Sequence, residues 1–203
     1  INIETINILI QAGINIEAIN YSGQSTLYIA IMNDCSSEVV MLLIDNIVTT
    51  DGINIFHIIH NFYNNDDKHK IALKIITDWN VVNYYNAIDN NNLLHYAIIN
   101  INQNNIANTT EAINLIIDRG VDINAVNKKG KSGLYYLCKA SKHINVVDLV
   151  DLVDVFIKHG ADLSIQNNKG RTPLHYICKH SKSIHLLDKL VTTENLNMQD
   201  NNG

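Results

Sequence analysis

The chain has 203 residues, 46% of them hydrophobic and 17% charged, with a formal net charge of −5 and a pI near 5.9. That balance argues against the broad basic footprint of a nucleic-acid binder, and no apolar run approaches the ~18 residues of a membrane span. Three cysteines, Cys35, Cys138 and Cys178, point to a reducing compartment rather than a disulfide framework.

In chain order, Ile1 to Ala12 (INIETINILIQA) reads as the second helix of a unit whose first half is missing, with its loop running to residue 19. Segment 20–51 opens on a turn at Gly23 and continues with Ser25-Thr26-Leu27-Tyr28-Ile29-Ala30. Val39, Val40, Leu42 and Leu43 then follow at helical intervals. Segment 52–86 is the least regular. Gly52 follows too soon, Asn54-Ile55-Phe56-His57 is a weak copy of the pattern, and Trp79 suits either a core or an exposed anchor.

Segment 87–126 turns at Asn90 and carries Asn92-Leu93-Leu94-His95-Tyr96-Ala97. Segment 127–166 carries Gly130-Lys131-Ser132-Gly133-Leu134-Tyr135-Tyr136. It is followed by a helix with Val146, Val147, Leu149, Val150, Val153 and Phe156 on its core stripe and Asp148, Asp151 and Asp154 on its wet face. Segment 167–199 carries Gly170-Arg171-Thr172-Pro173-Leu174-His175-Tyr176, and 200–203 begins a further unit. The loop up to Gly203 is expected to lead into another such helix. Neither end reads as a polar cap.

The 167–199 copy shows the mechanics best. Pro173 suits the first turn of a helix, where its missing N–H has no partner to lose. Thr172 can cap that turn, Gly170 supplies the tight turn before it, and Leu174 begins the buried stripe. The string resembles the T-P-L-H-x-A signature of ankyrin repeats, whose period is about 33 residues, and Arg119-Gly120-Val121-Asp122-Ile123-Asn124-Ala125 resembles that family's inter-repeat loop. The chain thus reads as one all-α domain, an ankyrin-repeat solenoid of helix-turn-helix units with β-turn loops. Asn90, Gly130 and Gly170 recur every 40 residues. The surplus is about two helical turns, which lengthens a helix without rotating its stripe off the core.

The long repeats and the strings LHYIC and LYYLC are similar to divergent ankyrin proteins of poxviruses and other large DNA viruses, and also to ankyrin effectors of intracellular bacteria. Either likeness implies action inside a eukaryotic host cell, in cytoplasm or nucleus. The family likeness implies a non-enzymatic protein-binding module. Three roles are open: substrate recognition in a viral adaptor for ubiquitin ligase, whose other components would engage regions outside this chain; the targeting arm of an effector enzyme; or an inhibitor that masks a transcription factor.

Charge narrows the binding face. Residues 1–127 hold four Lys or Arg against thirteen Asp or Glu, whereas residues 128–203 hold eleven against seven. Lys128, Lys129 and Lys131 fall on one loop tip, Lys169 and Arg171 on the next, and Lys139 and Lys179 at matching places on first helices, with Tyr136, Tyr176 and His180 beside them. The resemblance places tips and first helices on the concave, binding surface. These residues form either a solvated edge or a recognition strip for an acidic protein segment.

No catalytic motif is present: there is no GxxxxGK[ST], HExxH or GxSxG, and no cofactor is called for. Cys138 and Cys178 take the place of a small buried residue. Their spacing of one repeat is too wide for shared zinc, so no metal site is expected. His57, His95 and His175 fall where the family's histidine binds loop backbone, with Tyr28 and Tyr135 in that slot elsewhere. The sequons at Asn20 and Asn108 read as chance products of an Asn-rich chain.

Overall fold

The computed structural model describes residues 3–22, 24–33, 35–47, 66–79, 85–99, 101–180 and 183–203. Gly23, Gly52 and the string from Asn54 to His57 lie outside the described residues. The described residues form ten α-helices and one 3₁₀ turn, and their β-pairing is confined to isolated bridges at loops. The chain divides into two compact units, Ile1–Trp79 and Asn80–Gly203.

In the first unit, α1 (Ile3–Gln11), α3 (Ser37–Asn46) and α4 (Asp66–Asp78) form a row, and α2 (Thr26–Met32) packs on α3. Helix α2 starts at Thr26 because the Ser25 hydroxyl accepts from the Tyr28 N–H at 3.1 Å, satisfying an otherwise orphaned donor. Leu27, Val40, Leu43, Ile44, Ile75 and Ile76 are buried between the helices. Trp79 is 6% exposed, so it belongs to the core and is not an exposed anchor.

The second unit repeats one plan. First helices α5 (Leu93–Ile99), α7 (Gly133–Lys139) and α9 (Pro173–His180) form one row; second helices α6 (Ile106–Asp118), α8 (Val146–Lys158) and α10 (Ile184–Leu190) form another. Every first helix is capped alike. Asn92 Oδ1, Ser132 Oγ and Thr172 Oγ1 accept from the backbone N–H of His95, Tyr135 and His175 at 3.1, 3.3 and 3.3 Å. Pro173 is the first helical residue of α9, as its chemistry predicts. Gly133 takes that place in α7, where a Cβ would press on Leu94 and Phe156 at 3.3 Å.

The extra residues of the 40-residue repeats lie in the second helices. Helices α6 and α8 have 13 residues each and α10 has 7. The stripe of α8 is narrower than its valines suggest. Leu149, Leu152, Val153 and Phe156 are buried, but Val147 is 65% exposed, at the rim of a shallow groove that it lines with His185 and Asp188 of α10. Asp148 helps close the α8 cap with Asn145 and accepts from Gln103, and Asp154 pairs with Lys189 at 2.7 Å, while Asp151 faces solvent.

Between repeats the loop tips are laced together. Two of them begin with an Asn whose side-chain oxygen accepts two backbone N–H groups of its own turn: Asn127 from Lys129 and Lys131, Asn167 from Lys169 and Arg171, at 2.8 to 3.2 Å. The backbone N–H of Lys128, Asn168 and Asn201 then donates to the carbonyl of Asp89, Lys129 and Lys169 on the preceding tip, at 2.8, 3.1 and 3.0 Å. Asn20 makes the same turn in the first unit, so the side chain of that sequon is held by the Ser22 and Gln24 N–H groups.

Gly130 and Gly170 sit at φ 69° and 72°, where L side chains are strained. They are also pressed by the next tip: a Cβ on Gly130 would lie 2.6 Å from Asn168 Oδ1 and 2.9 Å from its backbone N. Gly160 has φ 82° but open space around it. Gly160→Ala is therefore expected to cost about 1 kcal/mol from strain alone, and Gly130→Ala about 2 kcal/mol or more because the lacing must also part. Urea unfolding of the two variants measures the difference, and equal losses would mean the lacing contributes nothing.

Candidate functional site

The candidate site is built on the tips and first helices of the second unit. Lys131 is its centre. Its backbone is fixed at both ends, the N–H by Asn127 Oδ1 at 3.1 Å and the carbonyl by His95 Nε2 at 2.9 Å. Since that carbonyl can only accept, Nε2 of His95 carries a proton, while Nδ1 lies 2.6 Å from Asn92 Oδ1 and 3.2 Å from the Asn92 backbone N. The histidine thus bonds the loop of the following repeat, as the resemblance implies. The equivalent His175 meets Thr172 through Nδ1 at 2.9 Å, and Tyr135, in the histidine slot of α7, reaches the side chain of Asn167 on the next tip.

The Lys131 ammonium lies over two rings, 5.1 Å from the centroid of Tyr135 and 5.4 Å from that of Tyr136. Those rings belong to a row of edge-on or tilted neighbours: His95 to Tyr136 at 6.0 Å, Tyr136 to Tyr135 at 6.4 Å, Tyr135 to Tyr176 at 5.7 Å and Tyr176 to His180 at 4.5 Å. The predicted neighbours Tyr136, Tyr176 and His180 are therefore brought together with Lys131. Tyr135, absent from the expected set, completes the row. Its slot looked purely structural in the sequence, and only the stacking of α7 on α9 shows that it links the two flanking tyrosines.

The cations differ in their freedom. Lys129, Lys139, Lys169 and Lys179 are exposed, as is Lys142 just after α7. Burial, then the fields of Lys139, Lys129 and Lys169, hold the Lys131 pKa below the usual lysine value. Partial loss of solvation, then Lys142, Lys179 and Arg171, lower that of His180. Two of the expected cations are tied down. Lys128 Nζ donates to the Ala87 carbonyl at 2.8 Å, and Arg171 Nε pairs with Asp200 at 2.8 Å. Asp89 lies at the far end of the row, where it accepts from the Tyr96 hydroxyl and from Asn91.

The two cysteines part company. Cys138 is fully buried between α7 and its neighbours, and burial pushes its thiol pKa up, as a small core residue requires. Cys178 is exposed, which corrects the expectation that it is buried: among the described residues no helix packs on the side of α9 beyond it. Among the described residues no three His, Cys, Asp or Glu side chains gather as a metal site would need, and no helix is long and apolar enough to cross a membrane.

Residues 105–202 match the family model of ankyrin repeats, in three copies. The chain is similar in structure to an ankyrin repeat domain from Acinetobacter baumannii AYE, at 17% identity and a TM-score of 0.73 over 93% of this chain and 90% of that one. It is similar to the ankyrin repeat domain of Bcl-3, a member of the IkappaB protein family, at 19% identity and 0.64 over 93% and 76%. It is also similar to a chain in the complex of a predatory endopeptidase from Bdellovibrio bacteriovorus with an immunity protein, at 20% and 0.64 over 92% and 90%. No curated protein matches it by sequence. The fold is an ankyrin-repeat solenoid, in general a scaffold for binding proteins.

Because His95 is buried and its pKa lowered, first by burial, the folded state resists its protonation. The stability it contributes is complete above the unfolded value of about 6.5 and is lost as pH falls through the depressed folded value. The hydrogen bond to the Lys131 carbonyl, then the carboxylates of Asp89 and Asp122, oppose this only in part. The urea midpoint is expected to drop between about pH 7.5 and 5 more steeply for the parent than for His95→Gln. Parallel pH profiles would remove His95 from the account.

Proposed function

Taking as premise that residues 105–202 are ankyrin repeats, we propose that this chain is a protein-recognition module that binds an acidic segment of a partner along the basic, aromatic strip of its second unit. One observation carries the reading: five ammonium groups, of Lys129, Lys131, Lys139, Lys169 and Lys179, lie along the strip without a carboxylate partner among the described residues, in a protein of net charge −5. Fold stability gains nothing from gathering like charges, and Lys131 loses some of its affinity for protons by it. A partner bearing carboxylates or other anions relieves that repulsion, and charge complementarity speeds encounter and fixes register.

The binding mechanism is rigid display. Laced tips and capped helices hold the side chains before the partner arrives, so little ordering entropy is lost on association. On the likeness of LHYIC and LYYLC to divergent viral repeats, the module serves as the recognition part of a host-directed adaptor, acting inside a eukaryotic cell. Ubiquitin-ligase components would then be engaged by regions outside this chain.

The test is capture from eukaryotic lysate by the parent and by a variant with Lys129, Lys139, Lys169 and Lys179 changed to Glu. Lys128 and Arg171 are left intact because they hold the tips together. A protein retained by the parent and lost by the folded variant, with binding that weakens as salt rises, is expected. Equal capture by both would rule out the strip as the binding face.

A further inference from the structure

We propose that the centre of the strip, where Lys131 and Tyr136 meet Lys129, Lys139 and Lys169, binds a phosphomonoester dianion carried on a side chain of the partner protein. The inference rests on the preceding reading and narrows it from an acidic segment to one kind of anion.

The argument is an inventory of donors and acceptors. Asn127 is saturated: its oxygen accepts from Lys129 N–H and Lys131 N–H, and its amide nitrogen donates to Asn91 Oδ1 at 2.9 Å and to the Tyr136 phenol oxygen at 3.1 Å. The Tyr136 oxygen is thus already an acceptor, and its own proton has no acceptor among the described residues. The Lys131 ammonium, held over the Tyr135 and Tyr136 rings, likewise has no acceptor there. The carboxylate of Asp89 is occupied by the Tyr96 hydroxyl at 3.3 and 3.5 Å and by Asn91 through backbone and side chain at 2.9 and 2.7 Å. What remains unmatched at this spot is donors alone, a phenol O–H and an ammonium, in the positive field of Lys139, Lys129 and Lys169.

A ligand that satisfies such a set must be all acceptor. A phosphomonoester offers three acceptor oxygens and nearly two negative charges at one point, against two oxygens and one charge for a carboxylate. Lys129, Lys139 and Lys169 all act on this one ammonium, so the positive charge offered at this point exceeds what a single carboxylate matches. Lys131 is also unusually well placed for a lysine. Its backbone N–H and carbonyl are both bound and its ammonium lies over two rings, so it meets an anion with less loss of freedom than a solvated surface lysine.

Phenyl phosphate is the probe, with phenylacetate as a monoanion of similar size, titrated against the whole chain while side-chain amine and tyrosine ring resonances are followed. Phenyl phosphate is expected to bind at least about fivefold tighter than phenylacetate. Lys131→Gln is expected to weaken it about fivefold, and Tyr136→Phe by less, while Lys158→Gln, on the exposed end of α8, leaves it unchanged. Lys129→Gln together with Lys169→Gln, both at exposed positions, serves as the second variant should Lys131→Gln perturb the fold. Equal affinity for the two probes, or equal losses from Lys131→Gln and Lys158→Gln, would overturn the inference. If lysate capture still depends on the strip in that case, the strip reads carboxylates and the broader reading stands; if capture is also indifferent to the strip, both fall.

Discussion

The basic tips of the second unit depend on one small bond made alike by Asn127 and Asn167: an asparagine oxygen accepting two backbone N–H groups of its own turn. The bond closes the turn, which presents the next backbone N–H to the preceding tip's carbonyl. It also sets the residue two places past the glycine, Ser132 or Thr172, where its side chain caps the first helix. Each hydrogen bond is worth only about 1 kcal/mol net. Burial of Phe156 or Leu134 is worth more. Apolar burial is non-directional, however, and would tolerate helices slid by a turn; the tips do not.

The same bonds make a surface from what would otherwise be solvated side chains. A lysine on a free loop samples many rotamers and binds anions weakly. Here the backbone on both sides of the Lys131 Cα is engaged and the ammonium lies over aromatic rings, so the charge is localised. The structure also separates positive charges that hold the fold from those that face outward: Lys128 and Arg171 are spent on Ala87 and Asp200, and Lys129, Lys139, Lys169 and Lys179 are not.

Much of this was legible in the sequence because it is local. Caps three residues before an N–H, proline in a first turn, glycine at positive φ and a surplus of two turns within a helix are all set by neighbours in the chain. Asn90 was readable as the turn residue for the same reason, and it does adopt φ 59°. What escaped is set by the adjacent repeat. Cys138 and Cys178 occupy the same slot, and only the helix laid over the first makes it core. Val147 belongs to the apolar period of α8 but lies at the open rim of the groove between α8 and α10. Tyr135 replaces a histidine in sequence and keeps the histidine's reach to the next tip, yet gains a place in an aromatic row that exists only once α7 and α9 pack. Asn127 and Asn167 three residues before their glycines were visible signals, hidden by the abundance of asparagine elsewhere.

The lacing of one tip to the next has a consequence for whatever lies along the strip. Lys129 and Lys169 are separated by a rigid step, since the carbonyl of the first is bonded to the N–H of Asn168, the residue before the second. The strip is therefore graduated, with one mark per repeat, and a partner of the kind proposed would have to carry its anions at the matching interval. Adding or removing a single residue between two such anions would leave the composition of the segment intact and take it off the scale.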